Sequence, residues 1–104
     1  MPLDIIIDGS NYQKTESLKL FIEEYDEIMK RAENEDMPIM KKILSDYYGE
    51  SEVYLNELEA LRLEVIKLKV QFPVGEETSD FLNDFLKMID TAGKERHTIK
   101  LIGD

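Results

Sequence analysis

Asp8 follows the apolar run Ile5-Ile6-Ile7 and precedes Gly9-Ser10-Asn11. A carboxylate at the end of a buried strand, with a glycine turn and an amide behind it, offers oxygen ligands to a hard divalent cation. Asp8 is therefore the candidate metal ligand. The alternative is an Asp-Gly turn that caps the next element. His97 is the only histidine. Nothing in sequence places a hydroxyl beside it, so no nucleophile and base are paired, and it reads as a half-exposed strand residue. The absence of cysteine excludes thiolate nucleophiles, disulfides and zinc–thiolate centres. No P-loop, H-E-x-x-H, EF-hand or glycine-rich dinucleotide loop occurs. No catalytic residue and no cofactor are expected.

A different chemistry is offered by Asp46-Tyr47-Tyr48-Gly49-Glu50-Ser51-Glu52, with Glu57 just beyond. Tyrosine rings give contact area at small entropic cost, and carboxylates steer and pair with Lys or Arg. Tyr47, Tyr48, Glu50, Glu52 and Glu57 are the candidate partner-binding residues, with Tyr47 or Tyr48 as the anchor. The alternative is packing, in which Tyr47 and Tyr54 belong to the core and Tyr48 covers a helix end.

The charge balance points the same way. Acidic residues number 23 and basic residues 13, a formal charge of −10. No basic stripe is present, which argues against nucleic acid and anionic membranes as partners; the acidic excess fits either plain solubility or a basic protein partner, such as a toxin or nuclease. No run approaches the roughly 20 apolar residues of a membrane span, and Met1-Pro2-Leu3-Asp4 lacks a basic leader. A soluble, cytoplasmic setting is expected.

A length of 104 residues with 42% apolar content fits one domain over 1–104. Leu3, Ile5 and Ile7 share one face of a first strand. Leu18, Phe21, Ile22, Tyr25, Ile28, Met29 and Ala32 mark an amphipathic helix over about 15–33, capped by Thr15. A second helix starts at the cap Asp36 with Pro38 in its first turn. It buries Ile39, Met40, Ile43, Leu44 and Tyr47 and stops at Gly49.

Ser51 caps a third helix, whose stripe is Tyr54, Leu58, Leu61, Val65, Leu68 and Phe72. Continuity to Pro73 favours one helix, but Ile66, Leu68, Val70 and Phe72 also alternate as a strand over 65–72 would. Leu63, Ile66 and Val70 lie off the stripe, so this segment is either the buried centre or a homodimer interface. Pro73-Val74-Gly75 breaks the chain, and a fourth helix over about 77–92 ends at Gly93. Ile99 and Leu101 mark a last strand over 97–102. Isolated strands do not persist, so the first and last share a sheet. The expected class is helix-rich α+β: about four helices on a small sheet of two or three strands that includes both termini.

Ile5-Ile6-Ile7-Asp8-Gly9-Ser10-Asn11 resembles the opening motif of PIN-like metal-dependent nucleases, which implies Asp8 as a Mg²⁺ ligand supported by Asn11, with Asp104 the one further strand-end acid able to join. The same opening, through Leu18, also resembles the barstar-like ribonuclease inhibitors: apolar strand, Asp-Gly turn, amphipathic helix. Asp46-Tyr47-Tyr48-Gly49-Glu50-Ser51 is similar to that family's Tyr-Tyr-Gly loop before its inhibitory helix, and the helix–turn–strand ending is a third likeness. The resemblance implies a parallel sheet, completed by a strand in the third segment, and a face that blocks a ribonuclease. The sequence departs from it by an extra helix over about 36–47 and by Ser51 in place of the usual Asn. Val53 stands where an acid is usual, and Glu57 falls where another acidic contact would sit. Three readings follow: a non-enzymatic acidic inhibitor or immunity-type protein, a homodimeric scaffold or adaptor, and a metal-dependent nuclease fragment.

Overall fold

The computed structural model describes residues 3–8, 17–33, 35–45 and 47–103. Strand β1, Leu3–Asp8, buries Leu3, Ile5 and Ile7 and turns Asp4, Ile6 and Asp8 to the other side, the period-two pattern of a strand covered on one face. Strand β4, Thr98–Ile102, does the same with Ile99 and Leu101. These two strands pair antiparallel, Ile5 opposite Leu101 and Ile7 opposite Ile99, so both ends of the described chain lie in one sheet.

The sheet has four strands, in the order β2-β1-β4-β3, one or two more than the sequence pattern indicates. Strand β2, Leu18–Leu20, falls inside the helix expected over about 15–33, which begins only at Ile22. It pairs with β1 because Leu20 then enters the core opposite Leu3. Strand β3, Glu50–Val53, carries one buried residue, Val53, too little apolar signal for a period to register. All three pairings are antiparallel, unlike the parallel sheet implied by the inhibitor resemblance.

Helices cover the inner face. Helix α1, Ile22–Ala32, buries Ile28 and Ala32. Its expected cap, Thr15, lies outside the described residues. Helix α2, Pro38–Leu44, has Pro38 in its first turn and buries Ile39, Met40, Ile43 and Leu44. It ends at Ser45, before Gly49, and Asp36 does not cap it. The Glu64 carboxylate of the next helix accepts the N–H groups of Ile39 (3.2 Å) and Met40 (2.8 Å) instead. That anion sits where the helix dipole and unpaired amides favour one.

The third segment is not one helix from Ser51. Ser51 belongs to β3, a single 3₁₀ turn spans Leu55–Glu57, and helix α3 runs Leu58–Lys69. The strand considered over 65–72 is not formed. Helix α3 packs along α4, Glu77–Glu95, with Leu61, Leu68, Leu82 and Phe85 fully buried. Helix α4 continues through Gly93. It ends at Arg96 in the left-handed conformation (φ 60°), where the N–H of His97 donates to Ala92 O (2.9 Å) and that of Arg96 to Gly93 O (3.3 Å). These crossed bonds satisfy the last carbonyls of the helix.

Candidate functional site

With the helices on one side, no described element covers the other, open side of the sheet, and β3 forms one of its edges. The loop leading into β3 is set by an unusually close approach. Gly103 N–H donates to Gly49 O at 2.7 Å. A Cβ on Gly103 would lie 2.0 Å from Tyr47 O and 2.7 Å from Tyr48 Cα, so only glycine lets the end of β4 pass beneath the two tyrosines.

Those tyrosines then part ways. Tyr47 is buried at 5% exposure, and its hydroxyl donates to Leu20 O at 2.8 Å. Its ring meets Tyr25 edge-on at 4.6 Å. Burial pushes its hydroxyl pKa up. Tyr47 is thus a core residue, and the anchoring role considered for it is withdrawn. Tyr48 is 64% exposed and rests edge-on against Tyr47 with centroids 5.2 Å apart. A ring braced on one side and largely exposed is suited to contact.

Glu50 and Glu52 alternate with Ser51 and Val53 along β3 and so lie on the open face of the sheet. Glu52 stands opposite Lys100 in register, but the Lys100 ammonium turns to Asp8, 3.5 Å from Oδ2. Among the described residues neither Glu50 nor Glu52 has an ion-pair partner. Together with Tyr54 (54% exposed) and Lys100 they line a shallow depression.

Glu57 is employed differently. Both of its oxygens lie 2.8 Å from Lys42 Nζ, and Oε1 also accepts the Tyr54 N–H at 3.1 Å. These bonds, the lysine's first, hold its carboxyl below the usual glutamate range. An acid reaching back to the amide that opens a helical turn is a capping device. Glu57 therefore shapes the entry to α3 and does not join Glu50 and Glu52 as an unpaired charge.

Asp8 ends β1 on the open face, paired with Lys100. Among the described residues no three side chains of ligating type converge, and Asn11 and Asp104 lie outside those residues.

Two features escaped sequence reasoning. Gly103 betrays its role only through the loop stacked on it. The other is a groove between α1, β2 and α4, which Phe21 (48% exposed) and Lys19 share with Glu24, Glu77, Asp80 and Asp84. Burial, then Glu77, Glu23 and Glu27, hold the Glu24 carboxyl above its ordinary value against an opposing main-chain hydrogen bond at Phe21. This second acidic region adjoins β2, at the opposite edge of the sheet from β3. No protein-family model matches the chain, and comparison with curated proteins and with solved structures finds no significant similarity.

Proposed function

We propose that this is a small acidic, non-catalytic binding protein of the inhibitor or immunity type. It occludes a basic protein surface, such as the active site of a nuclease or toxin, in the cytoplasm. The observation that carries this reading is the pairing of an exposed, braced Tyr48 with two carboxylates, Glu50 and Glu52, that no described cation neutralises. Tyr48 supplies the apolar anchor and the two glutamates pair with Lys or Arg of the target. The excess of negative charge speeds encounter with a cationic partner. The reading rests on this face and not on the family resemblance.

The test is affinity capture from the native host with wild type, Tyr48→Ala and the double variant Glu50→Lys/Glu52→Lys, followed by measured affinity for the captured protein. Wild type should retain a protein of basic pI whose activity it blocks. Truncating one partner of a desolvated charge pair costs about 2–5 kcal/mol, so the double variant should lose at least about thirtyfold in affinity. Wild-type affinity in both variants would overturn the proposal.

One observation favours a second reading, a homodimeric scaffold or adaptor. Leu63, Ile66 and Val70 form an exposed stripe on and just past α3, at 57%, 36% and 78% exposure. Sedimentation should then show dimer in wild type and monomer in Leu63→Glu. A wild-type monomer at high micromolar concentration would dismiss it.

A further inference from the structure

We infer that the edge of β3 takes up a strand of the partner bearing Lys or Arg at alternate positions, which joins the sheet beside β3. This rests on the occlusion reading above and specifies how the partner is held.

The register carries the argument. Glu50 stands opposite Ile102 and Glu52 opposite Lys100, so Gly49 and Gly103 are the next opposed pair, and the Gly103 N–H bond to Gly49 O joins them. In an antiparallel ladder, opposed residues that exchange hydrogen bonds alternate with those that do not. Ser51 and Val53 therefore bond to β4. The N–H and C=O groups of Glu50 and Glu52 point away from β4, off the end of the sheet. Two residues thus present main-chain donors and acceptors at an outer edge, and their side chains present carboxylates on the open face.

A strand laid there places its own side chains about 4.5–5.5 Å, Cβ to Cβ, from those of Glu50 and Glu52. The row through Glu52 already runs Ile6, Lys100, Glu52, and that through Glu50 runs Asp4, Ile102, Glu50. A cation is the complement that each row lacks at its outer end. A second copy of this chain is the wrong occupant. Pairing β3 with itself through these outward groups sets glutamate against glutamate, and like charges directly opposed are destabilising.

The test uses full-length protein and three synthetic peptides of about six residues: alternating Lys and Thr, the same with Glu for Lys, and the Lys peptide N-methylated at every other amide. The readout is amide hydrogen exchange at Glu50 and Glu52, with chemical-shift mapping over the chain. The Lys peptide should slow exchange at both amides by about tenfold, the Glu and N-methylated peptides should not, and Glu50→Lys/Glu52→Lys should reverse the preference toward the Glu peptide. Equal binding by the methylated peptide at Tyr48, Glu50 and Glu52 would overturn strand addition while leaving occlusion standing. Unchanged exchange at both amides, or shifts confined to the α1–α4 groove, would show charges that merely guard the edge against self-pairing and overturn it too. The occlusion reading itself falls only if the capture experiment is indifferent to Tyr48, Glu50 and Glu52.

Discussion

Tyr47 and Tyr48 are adjacent and chemically identical, yet one is a strut and the other a contact surface. The difference lies in where each ring sits: Tyr47 meets Tyr25 and the Leu20 carbonyl inside, whereas Tyr48 rests on the edge of Tyr47 and stays largely exposed. The loop that sorts them depends on Gly103, whose added methyl would collide with main chain rather than with a flexible side chain. Gly103→Ala should therefore cost about 1–3 kcal/mol, the range of overpacking in a filled site. Urea denaturation checks this, and displaced Tyr48 ring resonances should accompany it. An unchanged midpoint would mean that β4 and the loop can separate at no cost.

Among the elements, α2 is too short to stand by itself and takes its cap from another helix. Glu64 is buried at 8% exposure, and its two acceptor bonds tie α3 to the first turn of α2. Glu64→Ala leaves the Ile39 and Met40 amides unsatisfied and should destabilise by about 1–3 kcal/mol. Glu64→Gln, which keeps an acceptor, should cost less. Denaturation of both variants gives the comparison, and equal losses would argue against a capping role. At the other end of α4, Arg96 occupies a left-handed position without being glycine. Arg96→Gly relieves that conformation and should raise stability by about 1 kcal/mol, read as a higher thermal midpoint.

The whole molecule carries a charge of −10, and two of its carboxyls respond to pH in opposite senses. Glu24 is pushed up by burial and by neighbouring acids, so it binds its proton more tightly folded than unfolded. Its contribution to stability is full below its unfolded pKa and is lost as pH rises through the raised folded value. Glu57 is held down by Lys42 and the Tyr54 amide. Its contribution is present above the unfolded pKa and is lost as pH falls through the lowered folded value. Relative to Glu24→Gln, wild type should gain stability on acidification from neutrality toward the ordinary glutamate value of 4.5. Relative to Glu57→Gln, it should lose stability below that value. Urea midpoints across this range test both signs, and parallel profiles for the three proteins would refute them.

Much of this architecture is written in local periodicity. The alternation in Leu3–Asp8 and Thr98–Ile102, the apolar stripes of α2 and α4, and the break at Pro73-Val74-Gly75 can be read without coordinates, because burial on one face imposes a repeat on neighbouring residues. The acidic character, the absence of cysteine and the candidate status of Tyr48, Glu50 and Glu52 are legible in the same way. What periodicity could not reach were β2 and β3, each too short to show a repeat and formed only because a longer strand lay alongside. Nor could it reach the division of labour at the site. Tyr47 against Tyr48, Glu57 against Glu50 and Glu52, Glu64 in place of Asp36, and the need for Gly103 all depend on residues far away in the chain. Local sequence sets which groups are present and which way an element faces. Only the packing of distant segments decides which of those groups find partners inside and which are left facing outward.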